Sequence, residues 1–80
     1  MTVEQLRRYL RAEPFRPFAV YLADRRVLSV MHPEAMLLSR SGRTADVYDR
    51  TFETFETIDC LLIVSLRNLV EFELGRPKRR

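Results

Sequence analysis

Two side chains in this sequence have the chemistry of a nucleophile, a base or a metal ligand: His32, the single histidine, and Cys60, the single cysteine. A thiol beside an imidazole can act as a nucleophile with its general base, provided a third group orients the ring. No orienting residue and no oxyanion donor can be picked out. Adding Glu34 to His32 and Cys60 gives at most three ligands, one short of what a structural zinc site takes. Cys60 opens the apolar run Cys60 to Val64, where cysteine usually serves as a small buried hydrophobe. His32 precedes Pro33 in a turn. We therefore expect no catalytic residue, no metal and no cofactor.

Five carboxylates, Asp46, Asp49, Glu53, Glu56 and Asp59, alternate with apolar or β-branched residues. Paired carboxylates can do acid–base work. This alternation is instead that of a solvated strand face, and it has no calcium-loop spacing. The cations are more suggestive. Arg7, Arg8, Arg11 and Arg16 form a basic N-terminal group, and Arg76, Lys78, Arg79 and Arg80 form a basic end. Together they could neutralise phosphates of a nucleic acid, with Tyr9, Phe15 and Tyr21 able to stack on bases if exposed. Of fourteen cations, thirteen are Arg. Without residues 76–80 the remainder has ten cations against eleven acids, so the basic excess sits at one end.

The elements that would position these residues follow from local signals. Thr2 with Gln5 three residues later is a capping box, opening a helix to Arg11 that puts Val3, Leu6 and Leu10 on one face. Arg7, Arg8 and Arg11 suit its C-terminal dipole. Pro14 excludes Glu13 from the helical region, and Pro17 gives an extended approach to a strand over Phe18 to Ala23. That strand alternates, with Phe18, Val20 and Leu22 on one face. Asp24-Arg25 reads as a two-residue turn without the usual Gly.

Further strands are expected at Arg26 to Met31, Met36 to Arg40, Thr44 to Tyr48 and Thr54 to Ile58. His32-Pro33-Glu34, Ser41-Gly42 and Asp49-Arg50 separate them. Asp59 to Leu61 suits a brief helical turn. Ile63 to Leu66, apolar on both faces, reads as a central strand. Residues 67–74 fit either a strand or a short helix before Gly75. The expectation is one α+β domain over residues 1–75, an N-terminal helix followed by a five- or six-stranded antiparallel meander, with a basic disordered tail at 76–80.

A helix followed by short bent strands, with a brief turn before the last, resembles the Sm-like fold, a small SH3-like barrel. Val20 to Leu28 is similar to the first hairpin of the bacterial Sm-like RNA chaperone, and Thr57 to Leu66 stands at that family's second signature. Leu28, Ser29 and Val30 stand where the family usually bends at Gly. His32, Glu34 and Met36 occupy the region of its uridine pocket, and Ile58-Asp59 lies near the place of its Lys-His pair. The chain also resembles short uncharacterised bacterial proteins. The shared features are Pro14 to Phe18, Asp24-Arg25-Arg26, His32-Pro33-Glu34 and Ser41-Gly42-Arg43.

The single cysteine excludes an intrachain disulfide. No cationic region precedes an apolar stretch at the N-terminus, and the apolar runs are too short to span a bilayer, so a cytoplasmic protein without membrane partners is expected. Leu61, Leu62, Ile63, Val64, Leu66, Leu69, Val70, Phe72 and Leu74 hold more apolar surface than one small domain can cover. A homo-oligomer follows, a dimer first, with Leu69, Val70, Phe72 and Leu74 at the interface. The sequence thus points to a non-enzymatic binding or scaffolding module that self-associates. An Sm-like RNA-binding protein is the alternative, with RNA or another protein as further partners.

Overall fold

The computed structural model describes residues 2–69. It has one helix and six antiparallel strands: α1 (Val3–Leu10), β1 (Phe18–Leu22), β2 (Val27–Val30), β3 (Met36–Leu38), β4 (Thr44–Asp49), β5 (Thr54–Asp59) and β6 (Ile63–Asn68). Single 3-10 turns at Pro33–Ala35 and Cys60–Leu62 precede β3 and β6. The strands form two three-stranded sheets, ordered β2-β1-β6 and β3-β4-β5. The expected small α+β architecture is what the chain forms.

The capping box is present. Gln5 N donates to Thr2 Oγ1 at 3.3 Å, and Thr2 N donates to Gln5 Oε1 at 3.2 Å. The helix ends at Leu10, with Arg11 as its C-cap, so the chain has left the helix before Pro14 acts. Leu6 is its buried anchor, and Tyr9 and Leu10 pack against the same core.

β1 is the centre of the first sheet. Val20 pairs with Leu28 on one side and Leu66 on the other, and Phe18 pairs with Val30 and Asn68. Phe18 is fully buried. Its ring meets Tyr9 edge-on at 5.1 Å and Phe15 at 6.1 Å, so both ends of the Pro14–Pro17 connection close on one aromatic. From the second sheet, Met36, Ala45, Val47 and Ile58 complete the core.

Three turns differ from their expected form. Leu22 O accepts from Arg25 N, and Leu22 N donates to Arg26 O, so the first hairpin closes over Ala23, Asp24 and Arg25. Arg25 takes the left-handed position at φ 77°, where the third residue of such a loop favours Gly. The β3–β4 loop spans Arg40 to Arg43 between the paired Ser39 and Thr44, with Gly42 at φ +80°. A Cβ on Gly42 would lie 2.6 Å from Val3 Cγ2, so the glycine lets the helix start rest on this loop. The Thr-Phe-Glu echo divides. Phe52 sits in the β4–β5 loop, 74% exposed, while Phe55 lies in β5 against Tyr48.

The expectation that Ile63 to Leu66 is a central strand is corrected. β6 runs Ile63–Asn68 and, among the described residues, is an edge that pairs only with β1. A register shift between Tyr21 and Leu22 pairs Tyr21 with Ser65 and Leu22 with Ile63. Val64 is the extra residue of that bulge, and it is 60% exposed. The strand-or-helix question is answered through Asn68, which is strand. The domain limit at residue 75 and the tail at 76–80 lie outside the described residues.

Two substitutions test this packing in opposite directions. Phe18→Ala should lower unfolding free energy by about 3–5 kcal/mol in urea titration, because it empties a fully buried aromatic site. Arg25→Gly should raise it by about 0.5–1 kcal/mol, since it relieves a left-handed non-glycine residue. An unchanged Phe18→Ala midpoint, or a destabilised Arg25→Gly, would contradict these assignments.

Candidate functional site

The residues with catalytic or metal-binding chemistry do not come together. His32 is exposed at the entry to the Pro33–Ala35 turn, and Cys60 is half-buried in the turn between β5 and β6. Among the described residues, no three His, Cys, Asp or Glu side chains gather as a metal site. The Cys60 thiol is pushed up from its ordinary value by burial and then by the neighbouring Asp59 carboxylate, which favours the unreactive thiol over the thiolate.

Each of four carboxylates has a structural bond of its own. Asp46 accepts from Thr57 Oγ1 at 2.6 Å, Asp49 from Thr51 N at 2.9 Å, and Asp59 from Leu61 N at 2.9 Å. Glu56 pairs with Arg26. Arg26 also holds Asp24 at 2.8 Å and so links the first hairpin to β5 of the other sheet. The Arg26 N–H, and less strongly its guanidinium, hold the Asp24 carboxyl below its ordinary value. Any stabilisation from this contact is present above the unfolded carboxylate value and is lost as pH falls through the depressed one.

The basic N-terminal group is split. Arg7 and Arg11, one helical turn apart, face a groove with Leu10, Leu38, Ser39 and Arg40. Arg8 and Arg16 border a different depression, with Tyr9, Ala12, Glu13, Pro14 and Asn68. Arg76, Lys78, Arg79 and Arg80 lie outside the described residues. Phe15 and Tyr9, considered as stacking rings, are committed in part to Phe18. Arg40 joins Arg7 and Arg11 in this groove without any sequence signal beyond its charge. It lies 33 positions from Arg7, and only the tertiary fold makes them neighbours.

A third feature is apolar. Leu61 is 86% exposed, and it borders a cleft of about 180 Å³ with Thr2, Val3, Leu6, Gly42, Arg43, Cys60 and Ile63. Leu62 and Val64 are exposed beside it. Of the expected interface residues, Leu69 is half-buried, its N–H donated to Pro17 O at 2.9 Å. Val70, Phe72 and Leu74 lie outside the described residues. Comparison with protein-family models, with curated proteins and with solved structures finds no match. Among the described residues, no helix is long and apolar enough to cross a membrane.

The thiol assignment is open to direct measurement. Cys60 in the folded protein should react with a disulfide reagent half-maximally at a higher pH than it does in urea. Identical pH profiles in the two states would contradict the raised value.

Proposed function

We propose that this chain is a non-enzymatic binding or scaffolding module that works through self-association, with a dimer as its first assembled state. The observation that carries the reading is the exposed junction between the two sheets. β5 ends one sheet and β6 ends the other, and the turn Cys60–Leu62 joins them. Among the described residues, each has one backbone edge without a neighbouring strand. Leu61, Leu62 and Val64 stand exposed at this junction. An open edge flanked by apolar side chains recruits another strand unless it is covered. A two-fold pairing of β6 with its copy would cover the edge and the side chains together, and closed two-fold assemblies are the commonest solution. In β5, Asp59 charges the other edge, which disfavours pairing β5 with itself. The non-enzymatic part of the reading is supported by the scattered placement of His32, Cys60 and the carboxylates.

An Sm-like RNA-binding role has separate support in the depression that gathers Arg8, Arg16 and Tyr9, two cations beside an aromatic ring. Glu13 in the same depression opposes it. Purification through a high-salt wash followed by an absorbance ratio tests this reading. Retained nucleic acid would favour it over the scaffold.

Light scattering at micromolar concentration should give about twice the 9.5 kDa chain mass. Val64→Glu should return it to a monomer with unchanged circular dichroism, because Val64 is already exposed in the single chain. A 9.5 kDa species for the unsubstituted protein would overturn the proposal.

A further inference from the structure

The groove between the C-terminal half of α1 and the β3–β4 loop has unusual electrostatics. It is about 280 Å³ and is lined by Arg7, Leu10, Arg11, Leu38, Ser39 and Arg40. Three of its six lining residues are guanidinium groups, and none is a carboxylate. The two ion pairs between described residues are made by Arg26 on another part of the fold, and none of these three guanidinium groups is neutralised by a described residue. The Nε–H of Arg7 is buried and has no hydrogen-bond partner among the described residues. A buried donor without an acceptor is a costly arrangement that native structures normally resolve with a bonded group. The negative end of the helix dipole accounts for cations in the last turn. It does not account for Arg40, which comes from the β3–β4 loop and faces the same groove.

We propose that this groove binds the phosphate group of a small phosphate monoester. Arg7 and Arg11 would hold it from the helix side and Arg40 from the loop. A guanidinium presents paired N–H donors matched to phosphate oxygens, and three of them around one small groove suit a dianion. The Ser39 hydroxyl accepts from Thr44 N at 3.2 Å and shares a 3.4 Å hydrogen bond with the Ser41 hydroxyl, so the loop side of the groove is fixed in place. The apolar stems of Leu10 and Leu38 give one wall against which an organic substituent could lie. A polynucleotide fits less well, because among the described residues Arg8 and Arg16 open onto a depression separate from the one that Arg7, Arg11 and Arg40 line. Phosphate binding in this groove requires neither self-association nor RNA.

The test is a titration of the full chain, at constant ionic strength, with inorganic phosphate, ribose 5-phosphate and ribose. The readout is the arginine side-chain Nε–H resonances. Phosphate and ribose 5-phosphate should shift Arg7, Arg11 and Arg40, and ribose should not. Arg40→Gln, at an exposed loop position, should weaken ribose 5-phosphate binding about tenfold or more. Arg8→Gln should leave it unchanged. Equal shifts with chloride, no shift with either phosphate, or full binding by Arg40→Gln would overturn the site. An oligoribonucleotide with hydroxyl ends that binds these arginines more tightly than ribose 5-phosphate would overturn the monoester assignment.

Discussion

The burial of Phe18 is the constraint on which this small structure depends. The ring stands where the helix connection becomes β1, and β1 is the strand that holds both β2 and β6. Tyr9 reaches it from the helix and Phe15 from the connection. One side chain therefore fixes the helix, the central strand and the approach between them. A chain of 80 residues can bury only a modest share of its surface, so few positions carry this much of the packing. A second contact fixes the other end of the helix. Gly42 has no side chain to hold Val3 away, and the β3–β4 loop comes up beneath the helix start.

These two contacts set the surfaces that remain. Docking the helix on the β3–β4 loop places Arg7 and Arg11 beside Arg40. The same docking brings Val3 and Leu6 beside Leu61 and Ile63. The basic groove and the apolar cleft are thus consequences of one helix orientation. Arg26 joins the first hairpin to β5, and with it the two sheets, through exposed or half-buried charges. Such pairs contribute little to stability and more to geometry.

Much of the fold was legible because its signals are local. Thr2 and Gln5 announce the helix start, Pro14 and Pro17 the connection, and the alternation of Phe18, Val20 and Leu22 the inward face of β1. Positions governed by tertiary structure were not legible. Ile63 to Leu66 reads as a central strand because apolar content resembles burial, yet the bulge turns Val64 outward on an edge. The two Thr-Phe-Glu units are identical in sequence, and only the β4–β5 hairpin places one in the loop and the other in the strand. The basic group is legible in composition, but its division between two sides of α1 depends on how the helix docks. Arg40 carried no signal beyond its charge.

The central functional claim is that the outer edge of β6 is covered by another copy of the chain. Amide hydrogen exchange, followed as a function of protein concentration, tests it most directly. The account predicts that outward-facing amides of Ile63 to Asn68 exchange slowly at high concentration and quickly on dilution, while the amides of β1 stay protected throughout. Fast exchange along β6 at every concentration, with β1 protected, would contradict it.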